Sequence, residues 1–178
     1  LYSAFATDYG NITFRLKGYE NAKKVILSGT FNRWDETGFK MKRTEDGWKV
    51  TLQLRPDIYQ YKFIIDGNFW LTDPQNPSKT ENEFGGYNSV IDVQKNVKFR
   101  LCDYQDAETV ILSGDFNDWS EHEFEMQKVD GCWIYNQRLS GGKHHYKFIV
   151  DGEWITDPIN TVKEYDDEGN INSVCMVK

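Results

Sequence analysis

A chain of 178 residues is long for one small domain and ample for two of about 80–90 residues each. Hydrophobic residues at 39%, with 15% aromatic, can fill two modest cores. A net charge of −7 argues against nucleic acid or an anionic membrane as partner, since both need a basic face. No apolar run approaches the ~18 residues of a spanning helix.

The first ten residues, LYSAFATDYG, carry aromatics that fit an edge of a sheet or belong to whatever precedes them. Residues 13–16 and 24–28 read as strands, followed by a turn-rich stretch over 32–38. Next, Met41, the Glu45-Asp46-Gly47 turn and the alternation of Trp48, Val50, Leu52 and Leu54 with Lys49, Thr51 and Gln53 predict a hairpin. Its second strand has one buried face, which makes Trp48 a core residue. Residues 59–65 predict a further strand, closed by Asp66-Gly67, a strong tight-turn dipeptide. A last strand is expected over 89–93. No stretch has helical periodicity.

The chain then says nearly the same thing again. NITFRLKGYENAKKVILSGTFNRW at 11–34 returns as NVKFRLCDYQDAETVILSGDFNDW at 96–119. The register holds through YKFIIDG and YKFIVDG, then slips by one residue where DGNFWLTDP becomes DGEWITDP. Trp133 thus matches Trp48 and is read as core. About seven short strands per copy predict two tandem antiparallel β-sandwiches of immunoglobulin-like type, over 1–93 and 96–178. With only Gln94 and Lys95 between them, the two are expected to hold a nearly fixed separation. The chain begins at Leu1 rather than Met, so it is read as part of a longer protein with further domains. Cys102, Cys132 and Cys175 all fall in the second copy, opposite Lys17, Gly47 and Ile91. A framework disulfide is expected to recur in both copies, so free thiols are predicted.

Duplication separates two kinds of residue. Kept apolar positions are explained by a core, whereas a polar loop that keeps a tryptophan is not. Trp34 has Asn32 and Glu36 two residues away, and Trp119 has Asn117 and Glu121. Such an indole is either a binding platform or a lid folded over the sandwich edge. Trp70 shares a face with Thr72, and Trp154 with Thr156, which makes each a candidate for the outer face, with a buried inter-sheet position as the alternative. Lys62 lies on the face of Gln60 and Ile64, and Lys147 matches it; each is a solvated lysine or a ligand contact. Asn88 and Asn172, before the last strand, are turn caps or ligand contacts. Two indoles, one ammonium and one amide per copy suit a sugar, with its apolar C–H faces and polar rim.

These motifs, FNRW…YQYKFIIDG…W-x-x-DP…YNSV and FNDW…HHYKFIVDG…W-x-x-DP…INSV, resemble carbohydrate-binding module family 48. That family includes the glycogen-binding domain of the AMP-activated kinase β subunit. The resemblance covers both copies nearly end to end. It implies an early-set immunoglobulin-like sandwich that binds α-1,4-linked glucan such as glycogen, starch or cyclodextrin. Carried over by motif, the platforms are Trp34 and Trp70 in the first copy, Trp119 and Trp154 in the second. The rim lysines are Lys62 and Lys147, and the asparagines Asn88 and Asn172. The family also places an apolar side chain and a small polar residue before that asparagine; Phe84 fits the first role, where the second copy has Glu168. Gly86 and Asn170 hold the small-polar position.

Other chemistry finds little support. Adjacent His144 and His145 face opposite ways on a strand, which disfavours a metal site. Asp166, Asp167 and Glu168 lack the spacing of a calcium loop. No nucleophile elbow or paired acid and base stands out, so no catalytic residue, metal or cofactor is assigned. Two further readings stay open. One is a protein-interaction module of this fold that has lost glucan binding; the other is an appendage of a glucan-active enzyme whose catalytic domain lies elsewhere.

Overall fold

The computed structural model describes residues 5–6 and 10–178, and among them there is no α-helix. The chain divides into two compact units with the boundary between Val93 and Gln94. In the first unit the strands are β1 (Phe5–Ala6), β2 (Ile12–Lys17), β3 (Val25–Gly29), β4 (Phe39–Lys40), β5 (Lys42–Arg43), β6 (Gly47–Gln53), β7 (Asp57–Ile65), β8 (Phe69–Leu71), β9 (Lys79–Glu81) and β10 (Tyr87–Val93). One antiparallel sheet runs β1-β6-β2 with β5 also on β6; the other runs β4-β3-β7-β10-β9 with β8 on β7. The expected edge packing of the leading segment is met by β1 alone, which pairs with β6. The rest of that segment lies outside the described residues.

The second unit repeats the plan. Its strands are β11 (Lys95–Leu101), β12 (Val110–Gly114), β13 (Gln127–Val129), β14 (Cys132–Leu139), β15 (Gly142–Val150), β16 (Glu153–Ile155), β17 (Lys163–Tyr165) and β18 (Ile171–Val177). They form the sheets β11-β14-β13 and β12-β15-β18-β17, with β16 on β15. Each unit is an all-β sandwich whose core draws on both sheets. In the first, Phe14, Leu16, Trp48, Val50 and Leu52 meet Val25, Leu27, Tyr61, Phe63 and Ile65. Trp48 and Trp133 are buried as the alternation predicts, and each indole N–H donates to a main-chain carbonyl, of Tyr19 and Tyr104 respectively.

The period of two on β7 is what positions the site. Tyr61, Phe63 and Ile65 point into the core, so Gln60, Lys62 and Ile64 face outward. Ile64 pairs with Trp70 on β8 and Val90 pairs with Gln60, which puts Trp70 and Asn88 on that same outer face.

Beneath this face lies a buried polar network that both units keep. The Tyr61 hydroxyl donates to Asp73 Oδ2 at 2.7 Å, and the Asp73 N–H donates to Ser89 Oγ at 2.8 Å. Asn76 Nδ2 donates to the Tyr61 oxygen and to the Val90 carbonyl. Tyr146, Asp157, Ser173 and Asn160 repeat every bond. Burial, reinforced by the bond to the neighbouring carboxylate, holds both phenols well above their ordinary range.

The expectation of free thiols fails for two of the three cysteines: Cys102 and Cys132 form a disulfide. The β11–β14 register ends at Leu101 opposite Trp133, so the next residues, Cys102 and Cys132, face each other. A bridge between neighbouring strands of one sheet is local to its unit and needs no counterpart in the other copy, where Lys17 pairs with Gly47. Cys175 is free and half-buried, and burial pushes its thiol up.

Candidate functional site

The loop tryptophans are held by a tight turn written in the sequence G-x-F-N-x-W. After β3, Thr30–Asn32 forms a single 3-10 turn, followed by Arg33 and Trp34, both left-handed at φ 56° and 61°. Asp118 and Trp119 repeat this at φ 51° and 57°. Two such residues in a row, one of them bulky, are costly at about 1–3 kcal/mol each. The compensation is local. Asn32 Oδ1 accepts the Gly29 N–H at 3.0 Å, and the Trp34 N–H donates to the Gly29 carbonyl at 2.9 Å. Asn117 and Trp119 do the same around Gly114. Glycine is needed at the pivot because a Cβ on Gly29 would stand 2.4 Å from the Gln60 carbonyl oxygen.

In the first unit this turn carries Trp34 to the outer face, beside Trp70. Their ring centroids lie 6.3 Å apart with planes inclined by 49°. Together with Lys62, Phe84 and Asn88 they line an open hollow of about 830 Å³. Gln60, Asn82 and Gly86 complete its polar side, and Glu36, Glu81 and Glu83 stand around it. Phe84 is 88% exposed at the tip of the loop between β9 and β10.

The second unit builds the same feature. Trp119 and Trp154 lie 6.4 Å apart at 47°, and with Lys147 and Asn172 they line a hollow of about 680 Å³. Its remaining lining is more polar: Asp166, Asp167, Glu168 and Asn170. Each hollow sets three carboxylates against one lysine, an arrangement that repels anions.

Two stretches of the chain, 12–100 and 97–178, each match the family model of the glycogen recognition site of AMP-activated protein kinase. The chain belongs to this family. It is thus a carbohydrate-binding module of family 48, present twice. Over 68 residues, 38% of this chain, it is 43% identical to Protein PTST homolog 2, chloroplastic, of Arabidopsis thaliana, covering 12% of that protein. Over 69 residues, 39% of this chain, it is 36% identical to 5'-AMP-activated protein kinase subunit beta-1 of Sus scrofa, covering 54% of it. Over the same length it is 38% identical to the beta-2 subunit of Homo sapiens, covering 25%. The matched region therefore spans between 12% and 54% of these relatives. Among solved structures, a maltogenic amylase from S. marinus aligns over 93% of this chain and 28% of its own, at 18% identity and a TM-score of 0.37, a likeness too loose to argue from.

Within the family 48 modules, the residues singled out from sequence fall together: Trp34, Lys62, Trp70, Phe84 and Asn88 in one hollow, Trp119, Lys147, Trp154 and Asn172 in the other. Asn88 does not cap its own backbone; its amide is bonded on both sides to side chains, Asn82 and Gln60. Gln60 and Asn82 were not singled out. Gln60 sits two residues from Lys62 on the same strand face, a signal that was present, but His145 replaces it in the second copy and so masks it. Around that histidine a second cluster forms: His145 Nε2 lies 2.9 Å from Glu164 Oε2, and Lys143 Nζ lies 2.7 Å from Glu164 Oε1. Bonds from Lys143 and His145 hold the Glu164 carboxyl below its ordinary range.

Proposed function

We propose that the chain is a non-catalytic tandem module in which each hollow binds a neutral α-1,4-linked glucan, as in glycogen, starch or maltooligosaccharides. The observation that carries this reading is the recurrence of one inclined pair of indoles, with a lysine and an asparagine at the rim, in two units that differ around it. Flat rings stack on the C–H faces of sugars. Successive α-1,4-linked glucose rings are turned relative to one another, so two platforms inclined near 48° suit that ligand better than coplanar ones would. The lysine and the amides supply donors and acceptors at the ring edge. The surrounding carboxylates favour an uncharged glucan over an anionic one. Membership in a glycogen-recognition family supports the same ligand class. Attachment to a larger enzyme or scaffold belongs to this proposal, as the relatives named above all extend beyond the matched region.

A few stacking contacts at about 0.5–1.5 kcal/mol each, set against association costs, give an expected dissociation constant of order 10 µM to 1 mM per hollow. Calorimetric titration of the intact chain with maltoheptaose tests this, with alginate as the anionic control. Tight alginate binding with none to maltooligosaccharides overturns the assignment.

A further inference from the structure

A polar chain of side chains crosses each hollow, and the backbone fixes its direction. In the first unit Asn82 Oδ1 accepts the main-chain N–H groups of Phe84 and Gly86, both at 3.0 Å. Main-chain N–H groups only donate, so Asn82 must turn its Nδ2 the other way, and it donates to Asn88 Oδ1 at 3.0 Å. Asn88 is 8% exposed and cannot swing out to water. With its oxygen engaged, it directs Nδ2 to Gln60 Oε1 at 2.9 Å. Gln60 keeps its own Nε2 donors for the hollow that it lines.

The second unit keeps the turn and changes one atom of the logic. Asp166 stands in the place of Asn82, and its Oδ1 accepts the N–H groups of Glu168 at 3.0 Å and Asn170 at 2.8 Å. These bonds, that of Asn170 above all, hold its carboxyl below the ordinary range, so at neutral pH it only accepts. Accordingly Asn172 Nδ2 donates to Asp166 Oδ2 at 3.2 Å. Relative to Asn88, the Asn172 amide is reversed, with its oxygen turned to the side where Asn88 has its nitrogen. His145, in the place of Gln60, reaches Glu164 instead.

We propose that position 82 in the first unit, and 166 in the second, is a specificity-determining residue: an amide there makes the hollow offer N–H donors to the sugar edge, a carboxylate makes it offer an oxygen acceptor. The first hollow then accepts a sugar position that carries an acceptor and no hydrogen. The second requires a hydroxyl that donates. This inference rests on the glucan reading above, and it deepens it by giving two like sites opposite hydrogen-bonding preferences.

The test uses maltoheptaose and derivatives in which fluorine replaces single 2-, 3- or 6-hydroxyl groups, since fluorine keeps the size and cannot donate. The intact chain carrying Trp119→Ala reports on the first hollow, and carrying Trp34→Ala on the second. At one ring position, fluorine should weaken the second hollow about tenfold and the first less than about twofold. Adding Asn82→Asp should bring that penalty to the first hollow, because Asn88 and then Gln60 reverse in turn. Adding Asp166→Asn should remove it from the second. A merely structural role lowers the affinity for both sugars alike and leaves their ratio unmoved; that result, or equal ratios in the two native hollows, overturns the proposal. Side-chain NMR of the sugar-free chain separates the two readings. The Asn88 Nδ2 protons should show nuclear Overhauser contacts to Gln60 in the native chain and to residue 82 after N82D. Sugar binding without that exchange of contacts sinks the inference alone. The exchange without any maltoheptaose binding sinks the glucan reading, and the sugar preference with it.

Discussion

The two hollows share a floor and differ at the rim. Both keep the indole pair, the lysine, the asparagine and, underneath, the buried tyrosine, aspartate and serine with a half-buried asparagine. At the rim, Phe84 corresponds to Glu168 in the repeat, Gly86 to Asn170, Asn82 to Asp166 and Gln60 to His145. The first hollow has an apolar tip at its rim, where the second has a carboxylate that the proposed sugar would have to desolvate or turn aside. The lesson is that a polar residue kept in both copies has one of two reasons, ligand or scaffold. Tyr61, Asp73, Asn76 and Ser89 belong to the scaffold, since all four point their polar atoms at one another or at the backbone.

The largest effects should fall on that shared floor. Asp73→Ala or Asp157→Ala removes the carboxylate that accepts from the buried phenol and from the Gln75 or Ile159 N–H, and each should cost its own unit about 2–4 kcal/mol. Urea unfolding followed through amide signals of each unit measures both; a difference above about 1 kcal/mol would mean the floors are not equivalent. Next come the platforms. Trp34→Ala should weaken maltoheptaose binding by the intact chain about 5- to 30-fold, through loss of about 1–2 kcal/mol of stacking, and Trp119→Ala by less. The reverse order would show that the rim carboxylates help rather than hinder. Glu168→Phe should then raise the affinity of the second hollow about 3- to 10-fold, measured in the Trp34→Ala background. An unchanged affinity would move the cause of the ranking away from residue 168. Smallest is a pH effect confined to the second unit. Glu164 has its carboxyl held below 4.5 by Lys143 and His145, while Thr80 stands at that place in the first unit. A carboxyl depressed on folding adds stability that is complete above the unfolded value and is lost as pH falls through the folded one. Acidification below 4.5 should therefore destabilise the second unit by a small increment that Glu164→Thr abolishes.

Much of this was legible in the residues themselves. The alternation from Trp48 to Leu54 gives β6 its buried face, and the polar neighbours of Trp34 place it off the core. The strand Lys79–Glu81 was not legible, because three polar residues at a sheet edge bury too little to leave an apolar period. Nor was the Cys102–Cys132 bridge, which depends on register rather than on repetition. The W-x-x-DP and NSV motifs mark the right region, yet Asp73 and Ser89 in them serve the floor, and only Trp70 and Asn88 reach the hollow. The reversal between Asn88 and Asn172 is invisible to motif reading because the letter is the same; its cause lies six residues earlier, in Asn82 and Asp166.

The paired left-handed residues Arg33-Trp34 and Asp118-Trp119 also have a kinetic consequence. Because the turn already holds each indole at an open hollow, the indoles need no ordering step before the proposed sugar docks, and association can run near ~10⁷ M⁻¹s⁻¹. With dissociation constants of order 10 µM to 1 mM, each contact then lasts only ~0.1–10 ms. On a polymer that presents the same ring again one step along, such a hollow lets go and re-engages many times a second. On the glucan proposed above, such a module would act as a sliding tether, holding to the polymer while staying free to move along it.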